Sequence, residues 1–351
     1  MTNYKTRKRV VLLRTARPTD KGSMSGFARM VADALQGSAC FAAQTCDLFA
    51  PVAGSMWHDH VWRCWHAGRI LQRQDADLLH LLDGSMLAFV PRRLLPRMVV
   101  TVHDLIPWLQ LQGQLPGKPS FAAAWIIRQS IDKLRFVAGV HAVSAHTAAD
   151  VLTAAGRDAI VIQHATRIDT PASSYIRIPA RFILHIGNNA TYKNRSGVLQ
   201  VFAKLAADNA DLWLVMAGPP PTEALRSEAA KLGRVVFLDD VSDAEVAALY
   251  ARAALLLFPS LYEGFGLPVR EAQAAGCPVV CSSAASLPEV AGSAALLAAP
   301  DDLEGFAAHC RTLLTDPEHR ARLVAKGKAW SAQYTLERFG AALEQFYETV
   351  C

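Results

Sequence analysis

The stretch Ala254-Leu-Leu-Leu-Phe-Pro-Ser-Leu-Tyr-Glu-Gly-Phe-Gly-Leu-Pro-Val-Arg-Glu-Ala-Gln-Ala-Ala-Gly-Cys-Pro-Val-Val-Cys-Ser282 reads as strand, glycine loop, helix, strand. Residues 254–258 form a short apolar run, suited to a strand buried on both faces. Gly264 and Gly266 let the backbone take positive φ and approach a ligand closely. Pro268 suits a helix start, where its missing N–H costs nothing. Gly276 ends that helix, and residues 278–282 restart a strand. The N–H groups of residues 264–268 then face whatever lies at the helix start, a ready place for a phosphate. Seven residues separate Glu263 from Glu271. One carboxylate precedes the helix and the other lies a turn inside it. Carboxylates accept paired hydrogen bonds and sugar hydroxyls donate them, so a nucleotide sugar fits both features. The plainer uses are a solvated loop residue for Glu263 and a first-turn acid opposing the helix dipole for Glu271.

Together, these residues resemble the Glu-x7-Glu signature of retaining glycosyltransferases with the GT-B fold, the group 1 type that includes bacterial mannosyltransferases. The likeness extends upstream to Val236-Phe-Leu-Asp-Asp-Val-Ser-Asp-Ala-Glu-Val-Ala-Ala-Leu-Tyr250. Downstream it takes in Ser286-Leu-Pro-Glu-Val-Ala-Gly292 and Pro300-Asp-Asp302. The resemblance implies an α/β chain of two Rossmann-like, doubly wound parallel-sheet domains facing an interdomain cleft. It implies that Glu263, with the backbone of Gly264, Phe265, Gly266 and Leu267, holds the sugar, and that Glu271 holds the ribose. Gly187-Asn-Asn-Ala-Thr-Tyr-Lys-Asn194 is similar to the family's glycine loop, with Gly187 beside the donor and Lys193 on its diphosphate. The family's companion arginine is replaced by Asn188 or Tyr192, which leaves Arg195 as a possible helper. A lysine at a helix start opposes the dipole, which by itself favours an anion there.

In the first half, Val99-Val-Thr-Val-His-Asp-Leu-Ile-Pro107 is a strand running into a loop, similar to the family's His-Asp-Leu. The resemblance puts His103 against the transferred sugar, with Asp104 orienting its ring. The other use of such a histidine is a buried polar group satisfied by backbone. Lys21-Gly-Ser-Met-Ser-Gly26 is similar to the loop beside the donor phosphates, and Gly26 aligns best. No GxGxxG pattern follows, which argues against a dinucleotide-dependent dehydrogenase.

The chain has 351 residues, of which 52% are hydrophobic, enough for two cores. No apolar run reaches the length of a membrane span. The basic residues 1–9 lead into only four apolar ones, Val10–Leu13, so a first strand is expected rather than a signal segment. The 7 cysteines show no CxxC spacing, and reduced thiols in the cytoplasm are expected. Residues 1–178 carry 21 Lys and Arg against 12 Asp and no Glu, a surplus of +9, while the rest carries 15 against 19. Such a surplus points to an anionic partner, a membrane surface or lipid phosphate rather than nucleic acid, or to an arginine-rich face with no partner.

Strands are expected at Val10–Leu13, Asp77–Leu82, Met98–His103, Gly139–Val143 and Ala159–Gln163. Helices are expected at Gly26–Leu35 and Phe121–Val137, and after a capping box of Thr147 and Asp150. The stretch Asp169–Pro179 suits a linker. Beyond it, Phe182–Ile186, Leu212–Ala217 and Ala254–Phe258 are strands, with helices at Arg195–Ala207 and Glu223–Leu232 between them. Strands alternating with helices imply parallel sheets, whose ligands bind off the carboxyl ends of the strands. The expected domains are residues 1–175 on the acceptor side and residues 176–330 on the donor side, with a last helix in 331–351 returning to the first. Leu336 replaces the family's usual tryptophan there.

His58-Asp-His60 lacks further ligands at metal spacing, and no Asp-x-Asp accompanies the donor site, so neither metal nor cofactor is expected. Trp57, Trp62 and Trp65, with Arg63 and His66, suit either core packing or contact with a membrane interface or acceptor lipid. The expected substrates are a nucleotide sugar, GDP-mannose first, and a glycan or polyprenyl-diphosphate-linked acceptor, used in the cytoplasm at the inner membrane face. The rival readings are another GT-B enzyme, such as an epimerase or hydrolase, and a non-catalytic nucleotide-sugar binding module or partner subunit of a glycosyltransferase complex.

Overall fold

The computed structural model describes residues 7–15, 22–48, 69–71, 73–166 and 177–351. The chain divides into two compact units, residues 1–165 with 335–351, and residues 166–334. Each holds a six-stranded sheet whose paired strands all run parallel.

The first sheet has the order β2-β1-β3-β4-β5-β6. Its strands are β1 (Lys8–Arg14), β2 (Phe41–Asp47), β3 (Leu78–Leu81), β4 (Met98–Val102), β5 (Gly139–Ala142) and β6 (Ile160–Val161). Its helices are α1 (Ser23–Ala34), α2 (Ile106–Leu111), α3 (Phe121–Leu134) and α4 (Ala145–Ala155). The apolar run Val10–Leu13 is buried throughout because the sheet is covered on both faces. Val11 and Leu13 pack with Ile131 and Leu134 of α3 and Val151 of α4. Val10 and Leu12 pack with Phe27 and Val31 of α1 and with Leu343 and Phe346 of the terminal helix. That helix, Leu336–Val350, is the last element of the chain and packs on α1. Two glycines set how close it comes. A Cβ on Gly340 would stand 2.8 Å from the Ala34 carbonyl, and one on Gly139 would stand 2.7 Å from the Phe346 ring.

The second sheet has the order β12-β11-β10-β7-β8-β9. Its strands are β7 (Phe182–Ile186), β8 (Trp213–Ala217), β9 (Val235–Leu238), β10 (Leu255–Phe258), β11 (Val279–Ser282) and β12 (Leu296–Ala298). Its helices are α5 (Arg195–Ala206), α6 (Glu223–Leu232), α7 (Asp243–Arg252), α8 (Leu267–Ala275), α9 (Leu287–Ala291), α10 (Leu303–Thr315) and α11 (Pro317–Ser331), so the terminal helix is α12. The chain leaves β7 toward β8 and β9, then crosses back to β10 on the other side. The order therefore reverses between β7 and β10, and the loops after these two strands open side by side at the switch point.

Three local expectations are corrected. α1 starts at Ser23, so Gly26 lies in its first turn, and the positive φ belongs to Gly22 at 146°. α4 is capped by Ser144, whose hydroxyl accepts the Thr147 N–H, because Ser144 rather than Thr147 takes the extended cap conformation. β6 keeps only two of the five expected residues. The linker 169–179 falls mostly outside the described residues, as do Trp57, His58, His60, Trp62, Arg63, Trp65 and His66.

Candidate active site

The loops after β7 and β10 are tied to each other. Leu261 N–H donates to the Tyr192 carbonyl at 2.7 Å. Asn194 adopts the left-handed conformation with φ 52° and caps α5, its side-chain oxygen accepting the Gly197 N–H at 3.1 Å. Its amide nitrogen donates to the Pro259 carbonyl at 3.1 Å. Asn tolerates this conformation better than most side chains, so one residue starts the helix and joins both loops. Gly187 follows β7 and donates to the Ala217 carbonyl at 3.0 Å. Gly218, at the end of β8, has φ 145°, and a Cβ there would stand 2.1 Å from the Gly187 carbonyl. Only glycine fits, and three strand ends are thereby held together.

On this frame, Lys193 and Glu263 meet. Nζ lies 2.8 Å from both carboxylate oxygens, and the side chains are 15% and 8% exposed. The ammonium also stands 5.5 Å from the Phe258 ring centre and 5.7 Å from that of Tyr192. The loop beneath is pinned by Ser286, fully buried, whose hydroxyl lies 2.9 Å from the Glu263 carbonyl and 2.8 Å from that of Phe265. Gly266 caps α8 with φ 100°, and no side chain caps that helix start. Gly264 is not among the glycines of positive φ, so the expectation of two such residues holds for Gly266 alone.

Glu271, in the second turn of α8, is half-buried and accepts the Tyr250 hydroxyl at 2.9 Å. Burial pushes its carboxyl up to about 7, the Tyr250 hydrogen bond pulls it back and Asp243 pushes it further up. Tyr250, itself buried, is held well above its ordinary value by desolvation and by Glu271, so it remains a donor.

Arg195 begins α5 and is 5% exposed. Its Nη1 reaches the Asn189 side-chain oxygen and the Pro219 carbonyl, and its guanidinium stands 5.6 Å from the Phe237 ring centre. Burial lowers its pKa. It therefore engages the loop after β8. Asn188 accepts the Ala190 N–H at 3.0 Å. Arg195 Nε and Nη2, His185 Nε2 and Ser260 Oγ are buried without a hydrogen-bond partner. Buried polar atoms are normally paired, and these follow or end β7 and β10. His185 donates Nδ1–H to the Leu257 carbonyl at 3.1 Å, and burial lowers it to about 3.

In the first unit, His103 donates Nε2–H to the Leu82 carbonyl at 2.9 Å. Phe27, next to Gly26, meets that ring edge-on at 4.6 Å. Asp104 accepts the Ile106 N–H at 3.0 Å at the start of α2. Tyr250 and Ser286 had no role assigned from the sequence. The signal for Tyr250 was a hydroxyl closing the apolar run Val246-Ala-Ala-Leu249, since a buried donor requires an acceptor.

Solved structures share this architecture. Sucrose-phosphate synthase from Thermosynechococcus elongatus superposes with a TM-score of 0.80 over 97% of this chain and 98% of that one, at 17% identity. WaaG, a glycosyltransferase involved in lipopolysaccharide biosynthesis, gives 0.73 over 97% and 99%, at 15% identity. The two sheets with their helices are thus of the GT-B class. Within it, residues 170–330 match the family described as glycosyl transferases group 1. O-antigen chain mannosyltransferase B of Escherichia coli is 36% identical over 162 residues, 44% of this chain and 42% of that protein. The serotype-specific mannosyltransferase WbdA of Escherichia coli is 28% identical over 282 residues, 72% of this chain and 34% of that protein. The chain therefore spans less than half the length of these curated relatives.

Proposed function

We propose that the protein is a retaining glycosyltransferase that moves a hexose, mannose first, from a nucleoside diphosphate sugar to a glycan or lipid-linked glycan in surface polysaccharide synthesis. The observation that carries this reading is the Lys193–Glu263 pair between two neighbouring strand ends at the switch point, beside an uncapped helix start. Relatives named as O-antigen mannosyltransferases favour mannose. A neighbour named as a complex with UDP-glucose keeps uridine donors in the panel.

In this reading, the donor lies at the strand ends of the second unit. Lys193 and the start of α8 stabilise charge on the leaving diphosphate, with Arg195 behind them. Glu263 and the N–H groups of residues 265–267 hold the sugar hydroxyls, and Glu271 holds the ribose. Gly26 and Gly187 leave room for the phosphates, and His103 faces the sugar. The acceptor's proton passes to the leaving phosphate oxygen, so no side chain serves as general base, and no metal or cofactor takes part. The site operates in the cytoplasm, at the inner face of the membrane where a lipid-linked acceptor resides.

The test is titration with GDP-mannose, UDP-glucose and other nucleotide sugars, followed by donor turnover with membrane lipid extract. One donor should bind selectively and be consumed, with the Glu271→Ala variant losing affinity. Selective binding without consumption in any extract would make the chain a binding module instead.

A pH effect follows from the Tyr250 contact. Glu271 accepts from two ribose hydroxyls best when ionised, so donor KM should fall as pH rises through about 7. Tyr250→Phe removes the contact that lowers the Glu271 pKa, so the midpoint should move to higher pH with kcat at high pH preserved. An unshifted KM profile would separate Tyr250 from donor binding.

A further inference from the structure

α3 is firmly seated on its inner face. Ser130 accepts the Ala88 N–H at 3.0 Å and donates to the Ser85 carbonyl at 3.1 Å. Lys133, 8% exposed, donates to the carbonyls of Ala88 and Val90. Ile131 and Leu134 lie in the core. The outer face is therefore fixed too, and it is apolar where solvent contact is greatest. Phe121 is 91% exposed and Trp125 is 53% exposed, one turn apart on the same side.

Basic groups flank these rings. Lys118 precedes the helix and Arg128 follows Trp125 by three residues, both exposed. At the far end, Arg92 pairs with Asp132 at 2.6 Å and stands 5.2 Å from the ring centre of Phe136, which is 49% exposed. That pair offsets the ridge's acid. Isolated exposed apolar residues are ordinary, but aromatics aligned with unpaired basic neighbours are the pattern of a surface helix at a bilayer interface. Tryptophan in particular prefers the headgroup level. The +9 surplus of residues 1–178 supplies the long-range attraction to anionic lipid.

We infer that the outer face of α3, with Phe121 and Trp125 as anchors and Lys118 and Arg128 beside them, docks the first unit on an anionic membrane surface. The inference gives a place to the membrane contact in the proposed function, and its test is independent of turnover. The aromatics enter the headgroup boundary while the cations stay among lipid phosphates, which presents the enzyme to a lipid-linked acceptor. A second copy of the chain is the competing occupant, but like-charged ridges repel one another.

The experiment is cosedimentation of the full-length chain with vesicles of phosphatidylcholine alone or with phosphatidylglycerol added. Binding should be strong only with phosphatidylglycerol and should weaken with salt. The double change Phe121→Ser with Trp125→Ser should abolish sedimentation. Lys118→Gln with Arg128→Gln should weaken it by roughly fivefold per charge. Nucleotide-sugar binding in solution should be unchanged in both variants, which shows folded protein and keeps this result apart from that of the proposed reaction. The inference is overturned by absence of sedimentation with anionic vesicles. Sedimentation that survives the aromatic change overturns it too, as does concentration-dependent dimerisation that this change removes.

Discussion

Replacing Lys193 with Met should abolish donor turnover and also destabilise the second unit, and the two losses should come apart in a double variant. Glu263 is 6% exposed, with its two oxygens 2.8 Å from Nζ. Deleting the cation leaves a buried carboxylate without its counter-charge, a cost of about 3 to 5 kcal/mol. Changing Glu263 to Gln in the same chain removes the uncompensated charge, and most of that stability should return. Turnover should not return. A group that stabilises charge on a leaving group is worth roughly a hundred- to a thousandfold in rate, and neutralising Glu263 does not restore it. Urea unfolding and donor consumption, measured on wild type, both single variants and the double, give the cycle. Recovery of turnover in the double variant would make the pair a structural bridge with no part in the reaction.

The same pair shows how far the sequence could be read. Lys193, Glu263 and Glu271 were marked by residue type, by their place on strand–loop–helix paths and by the family resemblance, because glycine, proline and apolar runs fix the local path in α/β chains. The central strands were legible for the same reason: Val10–Leu13 and Leu255–Phe258 are apolar throughout because both faces are covered. The edge strand β2 was not. β2 reads Phe-Ala-Ala-Gln-Thr-Cys-Asp, and its middle residues face solvent. Only pairing with β1 makes it a strand. Side-chain partners were the least legible feature. Nothing local says that Lys193 pairs with Glu263, 70 residues away, or that Asn194 reaches Pro259. Those contacts exist because β7 and β10 are neighbours in the sheet and not in the chain.

The second large effect is acid sensitivity of the first unit, and it comes from a buried chain of hydrogen bonds across three strands. His141 Nε2 lies 2.8 Å from the Ile162 carbonyl, which can only accept, so Nε2 carries the proton. Its Nδ1 then accepts from the Thr101 hydroxyl at 2.9 Å. Thr101 Oγ1 in turn accepts Nε2–H of His80 at 2.8 Å, and His80 Nδ1 accepts the Tyr347 hydroxyl at 2.6 Å. Every donor points one way, from α12 through β3 and β4 to β5 and the residue after β6. The order holds only while both rings are neutral.

Burial lowers His141 to about 4 and holds His80 well below its ordinary value. An unfolded histidine takes its proton near 6.5, so between these values the unfolded chain binds more protons. Stability is therefore full above about 6.5 and is lost as pH falls toward 4, by about 3 kcal/mol for His141 alone. In the second unit, His185, which burial lowers to about 3, loses stability over the same range, and that loss is offset by Glu271. The raised pKa of Glu271 favours the folded form at low pH, and that contribution is lost as pH rises through about 7. Hydrogen exchange can read the units separately: amides of α12 and β5 should lose protection between pH 6.5 and 4.5 while those of α8 do not. In His141→Gln, an amide can still donate to Ile162 and accept from Thr101 but cannot titrate, so the acid loss should shrink. Equal loss of protection in both units, or an undiminished loss in His141→Gln, would show that the histidine chain does not govern the acid response.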